Sequence, residues 1–169
     1  HPGRAAAAME ALVPEETPQA NIGYMEEVLQ NLVAEAAYQI QGSSYQANSS
    51  GKIPLEESWI NSTISIVKVG DGAATSDSAP QTLALPGRSD APTGVTAVHE
   101  TVAGKNDGML SGTTPMMQYR AEDGTTWKVC GFGSTRNLAA GSYYVRYRSD
   151  GTGFASKNAV VEILSGEPV

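Results

Sequence analysis

Apolar and polar residues alternate with a period of two along much of the chain. In "NLAAGSYYVRYRSDG", Asn137 to Gly151, Tyr143, Val145 and Tyr147 alternate with Tyr144, Arg146 and Arg148. That alternation predicts a half-buried strand with its arginines in water. "PMMQYRAEDGTTWKVC" predicts two strands around Glu122-Asp123-Gly124, because Asp-Gly supplies the positive φ that tight hairpin turns require. Asn106-Asp107-Gly108, Asp71-Gly72 and Asp150-Gly151 repeat the signal. Many short strands with such turns at about 8–12-residue spacing predict an all-β protein of sandwich type.

One segment departs from that period. In "MEEVLQNLVAEAAYQI", Met25, Val28, Leu29, Leu32, Val33 and Ala36 fall on one helical stripe, with glutamates early and good helix formers throughout. Pattern alone predicts a helix there. Leu32, Tyr38 and Ile40 also stand at the spacing Leu-x5-Tyr-x-Ile.

"LPGRSDAPTG", Leu85 to Gly94, concentrates Pro, Gly, Ser and Asp between two apolar-rich halves and reads as a short linker, with a boundary near Arg88. The halves are related. Asp71 falls on Asp150 at an offset of 79 residues, which brings Gly72 onto Gly151 and Ile64 and Ile66 onto Tyr143 and Val145. One residue of slip in the loop then brings Leu83 and Leu85 onto Val161 and Ile163. A structural unit used twice accounts for such a repeat. The expected organisation is one module over residues 20–88 and a second over 89–169. Residues 1–19, "HPGRAAAAMEALVPEETPQ", read as an appended remnant followed by an acidic, Pro-punctuated linker, with a short helix over Ala5–Val13 as the alternative.

Composition narrows the chemistry. A hydrophobic fraction of 40% with seven tyrosines and two tryptophans supports packed cores in a chain of 169 residues. The net charge of -7 and pI of about 4.7 would repel nucleic acid or an anionic membrane surface, and no Lys/Arg cluster offsets them locally. No apolar run approaches the ~18–20 residues of a membrane span, and no segment reads as a signal peptide. The single cysteine, Cys130, excludes an intramolecular disulfide, and His1 and His99 are the only histidines, so no zinc-type cluster is expected.

His99, in "TAVHETV", has no nucleophile motif beside it and reads as a solvated strand histidine rather than a base. Cys130, three residues after Trp127, reads as a small buried hydrophobe rather than a reactive thiol. Asp71, Asp77, Asp107, Asp123 and Asp150 are candidate calcium ligands, but no Asp-x-Asp-x-Asp-Gly spacing occurs and turn geometry accounts for the Asp-Gly pairs. No catalytic residue, metal or cofactor is therefore expected. Asn48-Ser-Ser and Asn61-Ser-Thr are acceptor-type sequons that read as exposed polar loops. The candidate binding residues are Tyr45 and Tyr144, with Arg146 and Arg148, on outward strand positions, since Tyr and Arg are favoured interface anchors.

"GKIPLEESWINSTISIVKVGDG", "SDAPTGVTAVHETVAGKNDGMLSG", "MQYRAEDGTTWKVC" and "LAAGSYYVRYRSD" resemble the tandem Ig-like or fibronectin-III-like repeats of Firmicutes surface proteins. The resemblance covers most of residues 20–164. It implies an all-β fold of two tandem β-sandwich modules, and it makes Met25 to Ala37 a strand, a corner and a strand against the helical periodicity. Leu32 and Tyr38 then match a corner in which the tyrosine packs inward and returns its hydroxyl to upstream backbone. Leu138 and Tyr143 match it one residue short, and alternation makes Tyr143 the inward tyrosine. The resemblance further implies a non-catalytic, extracellular, wall-associated adhesion or spacer segment of a Gram-positive bacterium. Its partners would be neighbouring repeats and a host protein or glycan, with no nucleic acid and no membrane insertion. The alternatives are a dedicated receptor-like module for host protein or glycan, and an accessory domain of a secreted enzyme. A Lys–Asn isopeptide crosslink, known from some such domains, is disfavoured because Lys52, Lys68, Lys105 and Lys157 read as turn or edge residues.

Overall fold

Ile64 and Ile66 point to one side of a seven-residue strand, and Tyr143 and Val145 occupy the same places 79 residues later. The computed structural model describes residues 11–169, which divide into two compact units, the first ending at Gly87 and the second spanning Arg88–Val169. The helix considered over Ala5–Val13 lies almost wholly outside the described residues.

In the first unit the strands are β1 Val13–Pro14, β2 Asn21–Gly23, β3 Val28–Gln30, β4 Ala37–Ile40, β5 Ser43–Gln46, β6 Ile53–Pro54, β7 Ser62–Lys68, β8 Thr75–Ser76 and β9 Gln81–Leu85. They form a three-stranded sheet in the order β2-β3-β6 and a four-stranded sheet in the order β5-β4-β7-β9. The second unit has β10 Thr96–Val98, β11 Gly108–Ser111, β12 Met117–Ala121, β13 Lys128–Val129, β14 Ser134–Leu138, β15 Gly141–Tyr147 and β16 Ala159–Ile163. Its sheets run β10-β11-β14 and β13-β12-β15-β16, so each strand has a counterpart in the first unit at the same place. Each unit is a fibronectin-III-like β-sandwich, antiparallel apart from the short parallel β1–β8 pair in the first and an isolated parallel bridge between Val102 and Glu167 in the second. β7 and β15 are offset by 79 residues and β9 and β16 by 78, which puts the slip read from the sequence in the intervening loop.

Period-two burial makes these cores. The first unit buries Leu29, Tyr38, Ile40, Ile53, Trp59, Ile64 and Ile66, and the second packs Leu110, Met117, Cys130, Leu138, Tyr143, Val145, Val161 and Ile163 together. The Met25–Ile40 stretch is strand, corner and strand. Glu27, Asn31 and Glu35 take positive φ, which no right-handed helix accepts, and Met25 and Val33 of the helical stripe stand 69% and 55% exposed. Leu29 is instead fully buried on β3, paired on both flanks with Ile22 and Ile53. The Tyr38 hydroxyl accepts the Val33 N–H at 2.9 Å and thereby closes the corner.

Residues 11–19 are not a linker, in contrast to the sequence reading. Val13 and Pro14 pair with Thr75 and Ser76, and Glu15 forms a half-buried ion pair with Lys68. Lys68 itself lies in β7 rather than in a turn. The expected glycine turns also need correction. Gly72 and Gly151 have positive φ, but in the other two turns Gly124 does not, and Asn106 takes the positive φ in place of Gly108. A Cβ at Gly108 would meet Ile163 Cγ2 at 2.6 Å, so close packing of β11 selects glycine there.

A second duplicated device escapes sequence inspection. Ser78 and Ser156 are buried after β7 and β15. Each accepts, on its hydroxyl, the N–H of the strand's last residue, Lys68 or Tyr147, and returns its own N–H to that residue's carbonyl. Each hydroxyl also donates to the next carbonyl, of Ala79 or Lys157. Removing it orphans a backbone donor, so Ser156→Ala should destabilise the second unit by about 1–3 kcal/mol in a denaturant melt, while Ser156→Thr should recover part of the loss.

Candidate functional site

In β15 the inward set is Tyr143 and Val145, leaving Tyr144 and Arg146 on the outer surface of the four-stranded sheet. Pairing sets two outward rows across that surface. One joins Val129, Gln118 and Arg146, and the next joins Arg120, Tyr144 and Val160. The Arg120 guanidinium lies 4.8 Å from the Tyr144 ring and 5.1 Å from the Trp127 ring, and that of Arg146 lies 3.9 Å from Trp127. Tyr144, Arg120, Trp127 and Arg146 thus form one continuous cation–π stack, each contact worth about 0.5–1 kcal/mol at a surface.

Hydrogen bonds anchor both arginines of the stack. Arg146 Nε donates to Gln118 Oε1 at 2.6 Å, and Arg120 Nη1 donates to the carbonyls of Ala121, Glu122 and Gly124 at 3.1, 3.1 and 2.7 Å. Arg120 therefore ties down the loop that carries Trp127. Both residues were missed in the sequence. The alternation of Met117, Tyr119 and Ala121 already places Arg120 outward, whereas Trp127 lies outside β13, where no periodicity marks its direction.

Tyr144 and Arg146 are thereby brought together, and Arg148 follows them one step beyond β15, exposed, its N–H bonded to the Met116 carbonyl. Tyr45 is a correction. It pairs directly with the buried Tyr38, so it points to the core side of its sheet, where its ring meets Trp59 edge-on at 5.1 Å. The apparent outward position fails because Tyr45 sits on an edge strand that the side chain of Trp59 covers.

Several of the remaining carboxylates hold backbone. Asp107 accepts the Thr101 N–H and hydroxyl, and Asp150 those of Thr152. Asp77 accepts the Gly70 N–H. Glu100, a buried carboxylate that sequence reading passed over, accepts the N–H groups of Asn106 and Gly104 at 2.8 and 3.1 Å, and these lower its pKa. His99 is exposed just past β10, and its Nδ1 accepts the Leu164 N–H at 2.9 Å. Cys130 is buried, and burial pushes its thiol pKa up, the opposite of an activated nucleophile. Lys52 pairs with Glu26 at 3.0 Å and Lys105 with Asp107 at 4.0 Å. Among the described residues no group of three or more His, Cys, Asp or Glu side chains is placed to hold a metal ion.

Asp71 gives a measurable consequence. Its Oδ1 accepts the N–H groups of Thr75, Ala73 and Ala74 at 2.8–2.9 Å, which lowers its carboxyl from 3.8 to about 2. The folded value lies below the unfolded one, so the carboxylate stabilises the first unit above about pH 4, and that contribution is lost as pH falls through about 2. The melting temperature of Asp71→Ala should lie below that of the unmodified chain at about pH 5, and the gap should close toward pH 2.

Neither a family model nor a curated protein sequence matches the chain at a significant level. Among solved structures it is similar to the FN1-FN3 domains of chicken CNTN1, with 14% identity and a TM-score of 0.26, over 90% of this chain and 66% of that one. The chain thus spans just under two-thirds of that structure's length. The sandwich assignment rests on strand order and register.

Proposed function

We propose that the chain is a non-catalytic pair of extracellular repeat modules, an adhesion or spacer segment of a Gram-positive surface protein, with the first module spacing and the second making contact. The observation that carries this reading is the divergence of two copies of one sandwich on one face. Register equates Ser65, Val67 and Thr82 of the first unit with Tyr144, Arg146 and Val160 of the second. The first copy keeps small, uncharged residues where the second carries a ring and a guanidinium. The sequence resemblance supports the extracellular, wall-associated setting in this reading, and host protein is the partner class preferred.

The test is a pull-down from serum and mucosal secretions with the immobilised full chain, read by mass spectrometry. Saturable capture of a defined host protein is the expected result. Absence of capture at micromolar bait would leave a spacer only and remove the adhesive half of the proposal.

A further inference from the structure

We propose that the outer face of β12, β15 and β16 docks a carboxylate-bearing polypeptide in which acidic side chains alternate with apolar ones. This rests on the adhesive reading above and adds the partner's chemistry. The first unit serves as an internal comparison: it builds the same sandwich with Ser65, Val67 and Thr82 on this face, so the fold does not require Tyr144, Arg146 and Val160. The stack through Tyr144 and Arg146 adds stability that the first unit does without, and it leaves a guanidinium-rich surface available for contact.

Charge supplies the direction. Residues 1–87 hold three Lys/Arg against ten Asp/Glu and residues 88–169 hold eight against eight, so the net charge of -7 belongs wholly to the first half. In the second unit the carboxylates of Glu100, Asp107 and Asp150 are engaged by backbone N–H groups, while Arg120, Arg146 and Arg148 stand on or beside this face. β16 also turns Glu162 outward beside Val160, and exposed Glu122 follows the end of β12, so three guanidinium groups stand against two carboxylates and the face keeps a small positive excess in an acidic chain. Guanidinium groups held against rings lose less freedom on meeting a carboxylate than mobile ones do.

Val160 and Val129, 64% and 56% exposed, end the two outward rows and present apolar surface beside the arginines. An extended segment with interleaved acidic and apolar side chains satisfies both features. A sulfated glycan or nucleic acid satisfies only the first. Trp127 also stacks against two guanidinium groups rather than offering its ring to a sugar.

The experiment measures binding of the full chain to a synthetic peptide of alternating Glu and Val, with a Lys-Val peptide and a heparin oligosaccharide as comparators. Two variants accompany it. One carries the first unit's residues, Tyr144→Ser, Arg146→Val and Val160→Thr, and the other is Arg148→Glu, whose native side chain is exposed. Both are checked for a retained cooperative melt. Saturable, salt-sensitive binding of the Glu-Val peptide, weakened about tenfold or more by either variant, is expected. Preference for heparin, equal binding of the Lys-Val peptide, no Glu-Val binding, or indifference to both variants would overturn the proposal. If host-protein capture persists while the variants leave it unchanged, adhesion stands and this face is excluded; if capture itself is absent, the adhesive reading fails first.

Discussion

Truncating Tyr143 to alanine should cost the second unit about 3–5 kcal/mol, as buried aromatic truncations in cores do. The ring is 7% exposed, lies within the cluster of Leu110, Val145 and Ile163, and stands 6.3 Å from the ring of Tyr119. Its hydroxyl donates to the Ala139 carbonyl at 2.7 Å, which makes Tyr143, one residue nearer Leu138 than in the Leu-x5-Tyr spacing, the tyrosine that closes the β14–β15 corner. Tyr143→Phe should therefore recover all but about 1 kcal/mol. Tyr144→Ala loses a surface stack on Arg120 and should cost about 1 kcal/mol or less. Denaturant melts of the three variants check the order. A mild Tyr143→Ala beside an unfolded Tyr144→Ala would mean that the faces of β15 are reversed.

Strand phase was the legible part of this fold. Residues that obey a period of two, such as Ile64, Ile66, Tyr143 and Val145, announced their burial, and the internal repeat announced that one arrangement occurs twice. What stayed hidden depends on groups distant in sequence. Ser78 and Ser156 are ordinary loop serines until the ends of β7 and β15 arrive beside them. Helical periodicity at Met25–Ala36 was misleading because the strand β3 is short and its turns place apolar residues at spacings a helix would also use. For the candidate face, Tyr144 and Arg146 were readable from alternation, Arg120 was readable and passed over, and Trp127 was set by a loop conformation with no sequence period. Tyr45 shows the opposite error, since its direction depends on which residue of β4 it faces.

Gly51→Ala should be the most damaging small change in the first unit, at about 2–4 kcal/mol, since strain and lost hydrogen bonding combine there. Gly51 takes φ +71, and a Cβ on it would stand 2.2 Å from the Leu32 carbonyl oxygen. The neighbouring turn cannot yield freely. Asn48 Oδ1 holds the N–H groups of Ser50 and Lys52, the Asn48 carbonyl accepts the Gly51 N–H, and the Gly51 carbonyl accepts the Leu32 N–H. Alanine would have to break that last bond and push away the end of the corner that Tyr38 closes. Gly42 separates the two contributions, because it has φ +80 with nothing within 4 Å of a Cβ, so Gly42→Ala meets only the backbone strain, about 1–2 kcal/mol. Urea melts of the two variants should differ in midpoint in that order.

The most direct test of the whole account is to produce residues 11–87 and 88–169 as separate chains and follow each through a urea melt by tryptophan fluorescence, Trp59 reporting the first and Trp127 the second. Two sandwiches with complete, separate cores should each give one cooperative transition. A gradual, non-cooperative change in both chains would contradict it.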